Sequence, residues 1–140
     1  IPQISTKSKL FISGLSMGGF GALRLGIKYA NRFTAISAHS AITDLQQMEL
    51  FVEEPLANYL QEDTWENSVW GMVQKNCGDL PKLRFDCGTE DQLIIFNRTL
   101  HEQLLNAQIE HGYEEFSGGH EWLYWQEHLK DTLRYFSNFV

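Results

Sequence analysis

Apolar residues in this chain occur in two kinds of segment. Short, nearly continuous apolar runs bounded by glycine, asparagine or charged residues are typical of buried strands. Longer segments place apolar residues three or four apart, the spacing of an amphipathic helix. The predicted strands are 10–13, 34–39, 83–87 and 113–117, and predicted helices follow the first, third and fourth of them. This order predicts an α/β fold with a mainly parallel sheet of about four strands flanked by helices.

The region 41–76 departs from this alternation. It contains two short apolar segments at helical spacing, 44–51 and 65–73, separated by an acidic and polar stretch. Such a region between two strands is where helical insertions and lids occur in α/β folds. Its apolar and aromatic residues favour a place in the core, and a substrate pocket is the alternative. They are Met48, Phe51, Tyr59, Trp65 and Trp70.

A glycine-rich stretch joins the first predicted strand to a helical pattern and surrounds one serine. Residues 11–21 read FISGLSMGGFG, so Gly14 and Gly18 flank Ser16 at a distance of two residues. This is the spacing of a nucleophile elbow, where a strained serine lies on a sharp strand-to-helix turn and side chains at both glycine positions are expected to collide with backbone. The first N–H groups of a helix lack partners within it. We therefore expect the Met17 N–H to stabilise an oxyanion beside Ser16.

Three loops that follow predicted strands carry a serine, an acid and a histidine in that order. Carboxyl ends of parallel strands share one edge of the sheet, so Ser16, Asp91 and His120 are expected to meet there. The order is that of the α/β-hydrolases. His120 would take the proton of the Ser16 hydroxyl, and Asp91 would orient the imidazole and stabilise its charged form.

Both the base and the acid have alternatives. His120 follows the last predicted strand on a glycine-rich loop, whereas His39, at the end of the second strand, is the likeliest substitute. Glu90 competes with Asp91, because only one of two neighbours in an extended loop faces inward. The remaining histidines fall in helices or before a strand, Asp86 is predicted to be structural, and Asp44 is predicted to cap a helix. Those histidines are His101, His111 and His128.

Composition excludes several classes of function. The 140 residues carry a formal net charge of −7, which argues against binding to the phosphate backbone of nucleic acids. The sequence lacks an apolar run long enough to span a bilayer and a signal-peptide pattern at its start, so it predicts a soluble, cytoplasmic protein without membrane partners. Cys77 and Cys87 lack the spacing of a metal site, and both are predicted to be reduced and packed.

Three blocks of sequence together resemble one family. GLSMGG at 14–19, CGTED at 87–91 and GGHEWLYW at 118–125 are similar to the putative esterase, or esterase D-like, family of α/β-hydrolases, and the last block looks most like tributyrin esterases. The resemblance implies a serine carboxylesterase that hydrolyses short-chain acyl esters through an acyl-serine intermediate. Ser16, Asp91 and His120 match the family's catalytic positions. No metal or organic cofactor is implied.

The same resemblance leaves two alternative functions open. Related members transfer acyl groups to sugar or thiol acceptors, so an acyltransferase is one alternative. A hydrolase-derived binding or oligomerisation module without catalysis is the other.

The resemblance covers only the later part of the family's fold. The family carries further strands and a loop with a second oxyanion N–H before the elbow, so 1–140 is expected to be a single, partial α/β-hydrolase domain, its C-terminal part. Losing one oxyanion donor costs about a hundred- to a thousandfold in rate, and we expect the isolated segment to be weakly active or inactive. The open strand edge predicts pairing with an upstream segment or with a second copy of the chain.

Overall fold

The computed structural model describes Ser5 and residues 7–76 and 78–140. In this part of the chain, strands and helices alternate along most of the sequence. They are β1 Phe11–Leu15, α1 Ser16–Lys28, β2 Ala35–His39, α2 Val69–Lys75, β3 Lys82–Gly88, α3 Ile94–Asn106, β4 Gly112–Phe116 and α4 Trp122–Ser137. Three 3-10 turns, Leu45–Leu50, Leu56–Asn58 and Thr64–Asn67, occupy the segment between β2 and α2.

The strands form one parallel sheet in the order β1-β2-β3-β4. The register between neighbouring strands pairs Phe11 with Ala35, Ala35 with Lys82, and Arg84 with Gly112. All neighbouring strands are parallel. The predicted α/β class and parallel sheet are confirmed, with strand ends shifted by one or two residues. All four carboxyl ends lie along one edge of the sheet, and the loops that leave them meet there.

The core lies between the sheet and the helices that cover it. Every residue of β2 is buried, because β2 has a strand on each side and helices above and below. Helix α1 contributes Leu23 and Ile27, which are almost fully buried, and α3 contributes Leu100 and Leu104. The sheet therefore gives the loops at its carboxyl edge a rigid base.

The region 41–76 packs onto this core in a form that only partly matches the prediction. The segment 44–51 is a 3-10 turn, and Asp44 caps it as predicted, since its Oδ1 accepts the Gln46 N–H at 2.8 Å. The helix predicted over 65–73 is confirmed for residues 69–73, which lie in α2, but 64–67 form a 3-10 turn and the chain breaks at Ser68. Ser68 forms a β-bridge with Asp44 and accepts the Gly71 N–H at the start of α2. This tertiary bridge overrides the local helical pattern.

A buried carboxylate links the region 41–76 to α1 by ion pairs. Glu66 is 2% exposed and lies 2.5 Å from both Arg24 and Lys28 of that helix. Burial alone would raise the pKa of Glu66, but hydrogen bonds from Lys28 and Arg24 outweigh it and lower the pKa.

Two further predictions concern membrane spans and thiols. Across the residues that the structure describes, no helix is long and apolar enough to cross a bilayer. Cys87 is a free thiol buried in β3, as predicted, and burial raises its pKa far above the ordinary value, so the group stays protonated. Cys77 lies outside the described residues.

Candidate active site

Ser16 occupies the strained turn that the sequence predicts between β1 and α1. Its φ is 51°, in the left-handed region that side chains rarely adopt. A Cβ at Gly14 would overlap the Gly18 carbonyl, so the turn requires glycine at position 14. The steric role predicted for Gly18 is wrong, because a Cβ there would meet nothing within 4 Å among the described residues. The Gly18 backbone lies close to Gly14, and this contact shapes the turn. The absence of a side chain at Gly18 does not.

The three predicted loops bring Ser16, Asp91 and His120 together. Ser16 Oγ lies 2.8 Å from His120 Nε2, and His120 Nδ1 lies 2.9 Å from Asp91 Oδ2. With the Nδ1 proton donated to Asp91, Nε2 is free to accept the Ser16 hydroxyl proton. We call these three residues the rim group, because each follows the carboxyl end of a strand.

Asp91 is the buried end of the rim group. It is 2% exposed, and its Oδ1 accepts the Leu93 N–H at 2.8 Å. Burial alone would raise the pKa of Asp91, but hydrogen bonds from His120 and the Leu93 backbone outweigh it and lower the pKa. Asp91 is therefore ionised at neutral pH and faces His120 with its charge.

Glu90, the competing acid, hydrogen-bonds to Gly118 and Thr89 rather than to His120, and it links two loops. Its carboxylate accepts the Gly118 N–H at 2.5 Å and the Thr89 hydroxyl at 2.8 Å. The Glu90 N–H in turn donates to the Gly118 carbonyl at 3.1 Å. The hydrogen bond from Gly118 is the main reason that the pKa of Glu90 is lowered. Glu90 thus holds the loop that carries His120.

Close backbone contact between these two loops requires glycines. A Cβ at Gly88, the last residue of β3, would overlap the Gly118 carbonyl. Gly118 itself has a φ of 138°, which favours glycine. The glycine-rich sequence before His120 is therefore a condition for bringing its imidazole to Asp91.

His39, the substitute base, lies in a second His–Asp–hydroxyl arrangement. His39 Nδ1 is 2.8 Å from Asp86 Oδ2, and His39 Nε2 is 2.7 Å from Thr132 Oγ1. All three side chains are buried, with exposures of 3%, 0% and 2%. We call His39, Asp86 and Thr132 the buried group. The structural role predicted for Asp86 agrees with this position.

Further polar side chains complete the buried group. Arg84 Nη1 lies 2.8 Å from Asp86 Oδ2, and the Tyr124 hydroxyl donates to Asp86 Oδ1 at 2.9 Å. Ser37 Oγ is 2.6 Å from Thr132 Oγ1. The roles of Arg84, Tyr124 and Thr132 are not predicted from the sequence; the only available signal is a charged Arg84 inside an otherwise apolar strand.

The aromatic residues of the region 41–76 belong mainly to the core. Met48 is buried, and Phe51, Tyr59, Trp65 and Trp70 pack against the core while remaining partly exposed. The core interpretation is confirmed for Met48, whereas for the four partly exposed aromatic residues the choice between core and pocket stays a prediction. Whether the region also acts as a lid stays a prediction.

Among the residues that the structure describes, no three His, Cys, Asp or Glu side chains converge in a way that could hold a metal ion.

Residues 3–136 match the family described as "Putative esterase". The chain belongs to the putative esterase family. The resemblance drawn from the three sequence blocks is thereby confirmed.

Individual relatives point to the same family. The chain is 31% identical to an acetyl esterase of Caldicellulosiruptor saccharolyticus, over 98% of the chain and 57% of that protein. A ferulic acid esterase structure is 30% identical with a TM-score of 0.72, over 89% of the chain and 49% of the other. An S-formylglutathione hydrolase from Staphylococcus aureus shares the fold at 22% identity and a TM-score of 0.81, over 89% and 53%. The chain thus spans about half the length of these relatives.

Proposed function

We propose that this chain carries the catalytic residues of a serine carboxylesterase that hydrolyses short-chain acyl esters. The observation that carries the proposal is the continuous contact from Ser16 through His120 to Asp91, on a serine with a strained backbone at a helix N-terminus. A strained serine of this kind costs about 1–3 kcal/mol and persists at functional sites. Membership of the putative esterase family supports the same reaction class.

Each residue of the rim group has a defined part in the proposed reaction. Ser16 Oγ attacks the ester carbonyl carbon while its proton passes to His120 Nε2. The imidazolium then gives that proton to the departing alcohol, which leaves an acyl-serine. Water attacks the acyl-serine after losing a proton to His120, and the acid product leaves as Ser16 regains its proton. Asp91 stays ionised and stabilises the imidazolium.

The carbonyl oxygen becomes negative in each tetrahedral intermediate. The Met17 N–H, in the first turn of α1, is the proposed donor from this chain. The α1 dipole places partial positive charge at the same point. Two features therefore favour an anion beside Ser16.

Acetyl and other small acyl groups are the proposed substrates. The acetyl esterase among the relatives supports this class, because it matches over nearly the whole chain. Hydrolysis is preferred to acyl transfer, and the two are distinguished by adding a sugar or thiol acceptor. Free acid as the sole acyl product supports hydrolysis, whereas a new ester or thioester contradicts it.

The decisive experiment is active-site labelling. A fluorophosphonate probe reports on the activated serine without requiring a complete substrate site, and p-nitrophenyl acetate turnover then reports on the full cycle. In the complete protein, with the upstream oxyanion loop that the family resemblance implies, we expect stoichiometric labelling at Ser16, and loss of both labelling and turnover in Ser16→Ala. Turnover retained by Ser16→Ala, or a folded chain that resists the probe, would reject the proposal.

A further inference from the structure

Two aromatic rings contact the imidazole of His120. The Phe51 ring lies 4.7 Å from it between centroids, tilted by 36°, and the Trp125 ring lies 5.0 Å away, edge to face. Both nitrogens of His120 are already engaged by Ser16 and Asp91. The faces and edges of the ring are therefore the surfaces through which other residues can act on it.

Phe51 is held in place independently of His120. It follows the 3-10 turn Leu45–Leu50, and its N–H donates to the Met48 carbonyl at 2.9 Å. Met48 is 3% exposed within the core, and the Phe51 side chain packs against the same core. The position of the Phe51 ring is thus set by packing that does not involve the rim group.

An aromatic ring in this position affects a histidine in two ways. It restricts rotation of the imidazole away from Ser16 and Asp91. Its negative face also attracts a cation, and the imidazole becomes a cation when it takes the Ser16 proton. The attraction is larger in the transition state than before the proton moves, so it lowers the barrier. The restriction of rotation keeps the imidazole in the reactive orientation.

We propose that Phe51 is a positioning residue for His120, through which the region 41–76 supports the proton transfer. This inference rests on the proposed function. It assigns the region a role in the chemistry besides its packing on the core. If the full energy of a cation–π contact acted on the barrier, an exposed contact would change the rate a few-fold and a desolvated contact about thirtyfold.

The test compares variants that keep or remove the aromatic ring. Phe51→Leu keeps an apolar side chain of similar size and loses the ring, whereas Phe51→Tyr keeps the ring. We expect Phe51→Leu to lower kcat for p-nitrophenyl acetate by about 3- to 30-fold with KM within twofold, and Phe51→Tyr to stay within about twofold of the wild type. Phe96→Leu, a partly exposed phenylalanine on α3, is the matched control and is expected to leave kcat unchanged.

A spectroscopic measurement separates positioning from general structural damage. The proton and nitrogen resonances of His120 Nδ1 report on its hydrogen bond to Asp91, beyond the ring-current change that the loss of any nearby aromatic ring produces. We expect these resonances to move in Phe51→Leu and to stay near their wild-type positions in Phe51→Tyr and Phe96→Leu. If Phe51→Leu fails to fold, Phe51→Met provides the same loss of the ring with a more flexible side chain.

The possible outcomes distinguish failure of this inference from failure of the proposed function. A raised KM with unchanged kcat would make Phe51 a wall of the substrate pocket and overturn the inference, as would unchanged kcat together with unmoved His120 resonances. A wild-type chain that the fluorophosphonate does not label refutes the proposed function before any Phe51 variant is made. Labelling of the wild type with no effect in Phe51→Leu refutes only the inference.

Discussion

The rim group and the buried group have nearly the same internal distances but differ in alignment and in surroundings. His120 Nδ1 is hydrogen-bonded to Asp91, whereas His39 Nδ1 approaches Asp86 Oδ2 without hydrogen-bond alignment. In each, an aspartate lies 2.8–2.9 Å from a histidine Nδ1, and a hydroxyl lies 2.7–2.8 Å from Nε2. The hydroxyl is Ser16 in one and Thr132 in the other. These distances alone therefore do not identify an active site in this protein.

Three differences decide which group can carry out chemistry. Ser16 begins α1, where backbone N–H groups are free for an oxyanion, whereas Thr132 lies inside α4, where those groups bond within the helix. The His120 side chain is 16% exposed, whereas that of His39 is 4% exposed. Asp86 also shares its charge with Arg84 at 2.8 Å. The buried group links the sheet to α4, whereas the histidine of the rim group is partly exposed.

Removing the hydroxyl from each group gives the largest expected contrast. In the complete protein, Ser16→Ala is expected to lower kcat/KM for p-nitrophenyl acetate by about a millionfold, because the nucleophile is lost. Thr132→Val keeps the shape and leaves the rim group intact, so its kcat/KM is expected to stay within a few-fold. Its free energy of unfolding falls by about 1–3 kcal/mol, because Ser37 and His39 lose a buried partner. Urea unfolding measures the second effect, and a stable, inactive Thr132→Val would contradict the division.

Exchanging each aspartate for asparagine gives the next effect. Asp91→Asn is expected to lower kcat about ten-thousandfold, because the amide favours the wrong tautomer of His120. Asp86→Asn is expected to retain the wild-type kcat in the folded fraction. Circular dichroism gives the folded fraction of each variant. The kcat values are then compared after division by that fraction. Equal losses of kcat in the two variants would mean that both aspartates serve catalysis.

Local sequence was sufficient to predict the rim group, but it could not predict the buried group. The elbow and the two later loops can each be read from a short stretch of sequence. The chain order Ser, Asp, His follows once these three stretches are found. Arg84 and Thr132 meet partners on other elements, and their contacts depend on how α4 lies across the sheet. No periodicity in the sequence encodes that packing angle.

The remaining differences also arise from tertiary contact. The predicted helix over 65–73 breaks because Ser68 pairs with Asp44, and the contact between Phe51 and His120 joins segments that are distant in sequence. The prediction for Gly18 failed for another reason. A five-residue motif shows that a turn is tight, but only coordinates show which of its two glycines is sterically required.

Breaking the ion pair between Arg84 and Asp86 tests whether the buried group stabilises the fold. Arg84→Met leaves Asp86 buried beside His39 without its guanidinium, so the free energy of unfolding is expected to fall by about 3–5 kcal/mol. The matched variant Arg98→Met removes a surface pair with Glu115, and a loss of about 0–1 kcal/mol is expected. Denaturant unfolding gives both values. Similar losses in the two variants would show that burial does not govern the contribution of Arg84.

The smallest expected effect concerns Glu90, which supports the rim group without belonging to it. Glu90→Gln keeps an acceptor oxygen but loses the charge that binds the Gly118 N–H, so His120 is held less firmly and kcat is expected to fall by up to about tenfold. Glu102→Gln, on the exposed face of α3, is the control and is expected to retain the wild-type kcat.

The pH dependence of that loop provides a check that does not depend on catalysis. The pKa of Glu90 is lowered from its ordinary value of 4.5, so its contribution to loop order is complete above that value and is lost as the pH falls through the lowered pKa. The protection of the Gly118 amide against hydrogen exchange should therefore decrease in acid in the wild type and in Glu102→Gln, and be low at every pH in Glu90→Gln. Equal protection in all three chains would mean that the Gly118 amide owes its order to the contact between Gly88 and Gly118. In that case the glycines alone, and not the carboxylate, would bring His120 to Asp91.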